Sequence, residues 1–152
     1  MRRAVLLLAT LAYLAGVAWM TLRPSVYGPG TTDLLYRALD AFSRHEQTDW
    51  ITFARVEAAA NVAMFVPMGM FPALLLPKRA WWVGIVVGLL ATVAIESYQA
   101  TVLSATRFAD PQDIVMNTLG AAIGAAAVGL VLPRRRRRSR PRGRSPRQSP
   151  AW

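Results

Sequence analysis

Four apolar stretches, each close to a membrane thickness in helical length, most constrain what this chain can fold into. They cover about residues 4–22, 58–76, 80–103 and 114–132. A helix of about 20 residues, at about 1.5 Å of rise per residue, crosses a hydrocarbon core of about 30 Å. With 54% hydrophobic residues and a mean hydropathy of +0.30, the chain is also more apolar than a soluble domain of this size usually is. The sequence therefore predicts an all-α membrane protein with four transmembrane helices.

The charges predict how these helices are oriented. All eight Asp and Glu lie in segments 23–57 and 96–113, whereas the segments that alternate with these hold 13 of the 18 Lys and Arg and no acid. Because basic residues are enriched on the cytoplasmic side, we expect both termini to be cytoplasmic. A cleaved secretory signal is the alternative for the N-terminus, but the first stretch is longer than the apolar core of about 7–15 residues in a typical signal, and no small-x-small cleavage site follows it.

Outside the four stretches, two segments have their own patterns. Residues 134–152 carry nine arginines among Pro, Ser and Gly, which predicts a disordered cytoplasmic tail after a membrane domain of residues 1–133. We expect this tail to bind anionic inner-leaflet lipids, and nucleic acid is the less favoured partner because a transmembrane helix directly precedes the tail. Residues 32–44 predict an amphipathic helix on the outer leaflet, with Asp33–Arg37 and Asp40–Arg44 pairs on its polar face.

Polar side chains gather near the outward ends of the second, third and fourth stretches, at one predicted depth. An ionisable group inside a helix bundle is costly unless it is paired, so such residues are site candidates. We expect Glu96 and Arg107 to form an ion pair, with Asp110 or Asp113 as a competing acceptor. The candidate ligand-binding residues are Asn61, Glu96, Gln99, Arg107, Asp110, Asp113 and Asn117.

Several candidates also have purely structural interpretations. Asp110 before Pro111 is typical of a helix N-cap, and Asp113 of an acid in the first turn. Asn61 and Asn117 are suited to joining helices through amide hydrogen bonds. Glu96 lies inside an apolar run, where no helix end needs a cap.

The residue types limit the chemistry. The chain has no cysteine, so thiol chemistry is excluded. Its one histidine, His45, lies in a polar loop outside the cluster. The catalytic candidates are therefore the acids Glu96 and Asp113. No spacing of acids or histidines requires a metal, and the sequence identifies no cofactor.

In combination, these motifs resemble the VanZ-like family of small bacterial membrane proteins. They are N-x-x-x-F-x-P-x-G from Asn61, E-x-x-Q from Glu96, R-x-x-D-x-x-D-x-x-x-N from Arg107 and G-x-x-x-G from Gly120. The resemblance extends from about Arg23 to Leu132, and the arginine-rich tail lies beyond it. It implies a cell-envelope protein of the bacterial cytoplasmic membrane, linked to low-level resistance to teicoplanin-type glycopeptides. It does not supply a reaction.

Three functions remain open. In the first, the cluster binds an anionic headgroup on a lipid-linked cell-wall precursor, a phospholipid or a lipoglycopeptide, with Arg107 holding the anion. In the second, the protein is an intramembrane enzyme on a lipid-linked substrate, with Glu96 as acid or base. In the third, the cluster is structural and the protein acts through partner contacts.

Overall fold

The computed structural model describes residues 2–24, 29–105 and 110–131, and within these ranges all regular structure is helical. Four of the helices are long and apolar enough to cross a membrane, whereas α2 is not. The prediction of an all-α fold with four membrane-spanning helices is thus confirmed. The elements are α1 (Arg2–Thr21), α2 (Pro29–Ser43), α3 (Phe53–Leu75), a 3₁₀ turn (Lys78–Ala80), α4 (Val83–Thr101) and α5 (Pro111–Val131).

The helix ends differ from the ends of the apolar stretches. Helix α3 begins at Phe53, ahead of its apolar stretch, because the Thr52 side chain accepts a hydrogen bond from the Arg55 backbone N–H at 3.4 Å and caps the helix there. Helix α5 likewise begins at Pro111, and α4 begins only after the 3₁₀ turn. Caps and prolines fix where a helix starts, whereas hydropathy marks only the part that suits lipid.

Helices α3, α4 and α5 pack with their backbones in contact through glycines. A Cβ added at Gly120 or Gly124 would lie only 2.2 or 1.9 Å from a carbonyl oxygen of α3, and one at Gly84 only 2.1 Å from the oxygen of Gly69. These distances are shorter than any real carbon–oxygen contact. The small-residue spacings on α4 and α5 therefore serve close helix packing, as such spacings do in membrane bundles.

Helix α1 lies at the periphery and packs mainly on α3. Tyr13 donates a hydrogen bond to the Met64 carbonyl oxygen, and its ring lies 5.5 Å from that of Phe71. Val17 joins Phe65 in a small buried cluster. Much of the remaining α1 surface is apolar and exposed, which suits contact with lipid.

Helix α2 matches the predicted amphipathic pattern. Its two i,i+4 ion pairs form, Arg37 to Asp33 at 3.4 Å and Arg44 to Asp40 at 2.5 Å. The apolar Leu34 is 70% exposed, so this helix keeps an apolar face open to its surroundings. Its placement on a membrane surface stays a prediction.

The bundle has two ends of opposite charge. At one end of the bundle, α1 begins and the 3₁₀ turn joins α3 to α4. This end holds Arg3, Lys78 and Arg79, and we call it the basic end. At the acidic end, α1 and α4 finish and α3 and α5 start. All eight acids lie in the segments at or near that end. The predicted tail, residues 134–152, lies outside the described residues.

Candidate functional site

Glu96 is the most deeply buried acid among the described residues, at 6% exposure. It lies near the end of α4, and its Oε2 accepts a hydrogen bond from the backbone N–H of Asp110 at 3.1 Å. Asp110 directly precedes α5, so this bond ties the start of α5 to α4. A carboxylate accepting an N–H makes a charge-assisted bond, which compensates part of the cost of burying the acid.

Asp110 caps α5, as its position before Pro111 predicts. Its Oδ1 accepts a hydrogen bond from the Gln112 N–H at 2.8 Å, and its carbonyl oxygen accepts one from the Asp113 N–H at 2.9 Å. Its side chain is exposed. Asp110 therefore has a structural role, while the exposed carboxylate keeps further acceptor capacity at the acidic end.

Asn61 and Asp113 join α3 to α5. The Asn61 Nδ2 donates to the Asp113 Oδ1 at 2.6 Å, and both side chains are half-buried. Asp113 also lies in the first turn of α5, where a negative charge is favourable to the helix dipole. The predicted amide link between helices is thus present at Asn61.

Asn117 and Thr92 form a second link one helical turn deeper. The Asn117 Nδ2 donates to the Thr92 Oγ1 at 2.9 Å, and their exposures are only 4% and 0%. The Asn117 Oδ1 is buried and has no hydrogen-bond partner among the described residues. A buried carbonyl oxygen without a donor costs about 1–3 kcal/mol, so this atom would favour any donor that reaches it.

Gln99 connects the cluster to α1. Its Nε2 donates to the backbone oxygen of Thr21 at 3.1 Å, and both residues are buried. Arg23 follows two positions later, with its guanidinium carbon 4.2 Å from the centre of the Trp19 ring. A cation just after the end of α1 is thus attached to the segment that Gln99 holds.

Thr92, Thr21 and Arg23 were not among the sequence candidates. A threonine inside an apolar run carries no signal by itself, because its hydroxyl usually bonds its own helix. The one available clue was the spacing of Thr92, four residues before Glu96 and therefore on the same face of α4. The contact of Gln99 with α1 had no signal, since it depends on how two distant segments pack.

Arg107 and its predicted ion pair with Glu96 lie outside the described residues. Within the described ranges, no three acid or histidine side chains come close enough to hold a metal ion. The described part of the site is thus a set of carboxylate and carboxamide groups, and it can accept and donate hydrogen bonds to a polar ligand at one end of the bundle. Six of the seven candidates lie in it: Asn61, Glu96, Gln99, Asp110, Asp113 and Asn117.

Comparison with known proteins adds one match. The family model described as VanZ/LLP1 matches residues 10–132, which include all six described candidates as well as Arg107. No curated protein and no solved structure matches the chain.

Proposed function

The chain belongs to the VanZ/LLP1 family, and from that premise we propose that this membrane protein binds an anionic, lipid-linked ligand at the acidic end of its bundle. The ligand class is a lipid-linked cell-wall precursor, a phospholipid headgroup or a lipoglycopeptide. By the positive-inside bias both termini are cytoplasmic, so the acidic end faces the outer leaflet of the bacterial cytoplasmic membrane. Binding there would contribute to resistance against teicoplanin-type glycopeptides.

The observation that carries this proposal is the bond from the Asp110 N–H to buried Glu96. Arg107 precedes Asp110 by three residues, and three residues of chain span at most about 11 Å. Glu96 therefore fixes one end of the short connection that carries the arginine. A planar guanidinium binds phosphate or carboxylate through two parallel hydrogen bonds, which makes Arg107 the proposed anion-holding group.

The neighbouring amides supply the hydrogen bonds that an uncharged part of a headgroup needs. Asn61 is half-buried next to Asp113, and the Asn117 Oδ1 is an acceptor without a partner among the described residues. A ligand that donates hydrogen bonds to the Asp113 carboxylate or to the Asn117 Oδ1 would replace hydrogen bonds that it makes to water. Arg23, on the segment that Gln99 holds, adds a second cation to the same end.

The first experiment measures the teicoplanin susceptibility of a sensitive host that expresses the wild type, Glu96→Gln or Glu46→Gln. Glu46 is an exposed acid of the loop at the same end, so its variant controls for the loss of one charge. We expect protection by the wild type and Glu46→Gln and loss of protection by Glu96→Gln at equal membrane abundance. Equal protection by all three would remove Glu96 from the site, and no protection by any would refute the resistance role.

A second experiment identifies the ligand class by analysing the lipids that copurify with the full chain. One enriched anionic lipid class should be lost with Arg107→Ala and kept with Arg44→Ala, which removes an exposed arginine that is paired with Asp40 on α2. If the wild type carries no enriched lipid, the binding proposal fails.

The burial of Glu96 supports a second candidate, an intramembrane enzyme that acts on a lipid-linked substrate. Carboxylates shielded from water are common among catalytic acids and bases, and Asp113 would be the partner carboxylate. Turnover of a lipid pyrophosphate or ester that disappears with Glu96→Gln would establish this function. Binding without turnover would reject it.

A further inference from the structure

A cleft of about 320 Å³ opens between α1 and α3 at the basic end of the bundle, far from the acidic cluster. It is lined by Arg3 and Leu6 of α1 and by residues 74–77 at the end of α3. The two helices are in contact at the rings of Tyr13 and Phe71. Closer to the basic end, the cleft separates them.

The lining of this cleft is mixed, and the leucines on its apolar side suit an acyl chain. Leu6 and Leu74 are half-buried, so their side chains are partly covered by protein and partly open to the cleft. In a bilayer, lipid chains are as apolar as leucine, and a groove between helices is filled by methylene groups that pack against it. The leucines alone do not distinguish one lipid from another, so selectivity depends on the polar part of the lining and on the groups at the mouth.

The mouth of the cleft is basic. Arg3 is exposed and lines it, and Lys78 and Arg79 directly follow its last lining residue, Pro77. Every acid of the chain lies in the segments at or near the opposite end of the bundle. A basic residue at a membrane surface favours an anionic lipid by roughly fivefold, and an arginine can hold a phosphate through two hydrogen bonds.

We propose that this cleft binds an anionic phospholipid, with one acyl chain along Leu6 and the α3 leucines and with the phosphate against Arg3. The site is separate from the acidic cluster and does not depend on the function proposed for it. It also differs from attraction of lipid to the arginine-rich tail, because it requires the shape of the cleft as well as positive charge.

The test uses native mass spectrometry of the full chain after equilibration with equal amounts of phosphatidylglycerol and phosphatidylcholine. The wild type should retain one phosphatidylglycerol in preference to phosphatidylcholine. Arg3→Gln should lower that preference about fivefold. Arg37→Gln removes the same charge from an exposed position on α2 that neither lines the cleft nor belongs to its mouth, and it should change the preference by less than twofold.

A second pair of variants tests the shape of the cleft at constant charge. Leu6→Trp places a larger side chain in the cleft and should abolish the retained lipid. Leu8→Trp is the matched control, because Leu8 is on the same helix, is 67% exposed and does not line the cleft. Retention of phosphatidylglycerol by Leu6→Trp at the wild-type level, or equal losses from Arg3→Gln and Arg37→Gln, would overturn the proposal. A melting profile of each variant separates lost binding from lost folding.

Discussion

Gly124→Ala tests whether backbone contact between α3 and α5 holds the acidic cluster together. The added Cβ would lie 1.9 Å from the Val66 oxygen, 2.8 Å from its carbonyl carbon and 3.1 Å from the Met70 nitrogen. All three are backbone atoms, so no side chain can rotate to make room. Ordinary contact begins at 3.4 Å, and the two helices must therefore separate by about 1.5 Å.

The expected loss of stability combines three effects. Forcing extra volume into a packed interface costs about 1–3 kcal/mol. The same separation stretches the 2.6 Å bond between Asn61 and Asp113, and an interhelical bond of this kind contributes about 0.6 kcal/mol on average. Alanine recovers up to about 1 kcal/mol relative to glycine through its helix propensity. We expect a net loss of about 2 kcal/mol in the free energy of unfolding.

Gly16→Ala is the matched control, because a Cβ at Gly16 in α1 meets nothing within 4 Å. It keeps the gain in helix propensity without the clash, so it should leave stability unchanged or raise it by up to about 1 kcal/mol. Equilibrium unfolding in mixed detergent–dodecyl sulfate micelles measures both, with fluorescence of Trp81, which packs against Gly129, among the reporters. Equal stability of the two variants would refute the backbone-contact argument.

Three further predictions concern hydrogen bonds and ion pairs in the described residues. Thr92→Val removes the acceptor of the buried Asn117 amide and should lower the free energy of unfolding by about 1–3 kcal/mol in the same assay. Adding Asn117→Leu should recover part of this loss, and no recovery would mean that packing causes the loss. A double-mutant cycle of Asn61→Ala with Asp113→Ala should give a coupling of about 0.6–1.7 kcal/mol, and zero coupling would show that their bond contributes nothing. Arg37→Ala should cost no more than about 0.5 kcal/mol, because its pair with Asp33 is exposed on both sides; a larger loss would indicate that α2 docks through this arginine.

The acidic cluster was predictable to the extent that its residues follow helix geometry. Asp110, Pro111 and Asp113 form a recognisable helix start, and the structure places them there. Glu96 stood out because a carboxylate in an apolar run must find a partner, but its bond from the backbone N–H of Asp110 had no signature in the sequence. Thr92 was missed because its bond to Asn117 depends on how α5 packs against α4, which no local pattern in the sequence shows.

The sequence by itself determined the class of the protein. Long apolar stretches in lipid satisfy their backbone as helices, and the segregated charges predict which end of the bundle faces the cytoplasm; both inferences need only local composition. The tertiary structure decided which polar groups meet. Glycines at 69, 84, 120 and 124 let α3, α4 and α5 approach to backbone contact, and that approach pairs Asn61 with Asp113 and Asn117 with Thr92. Such pairings depend on distances between helices remote in sequence, and these are set by packing of the whole bundle rather than by any local pattern.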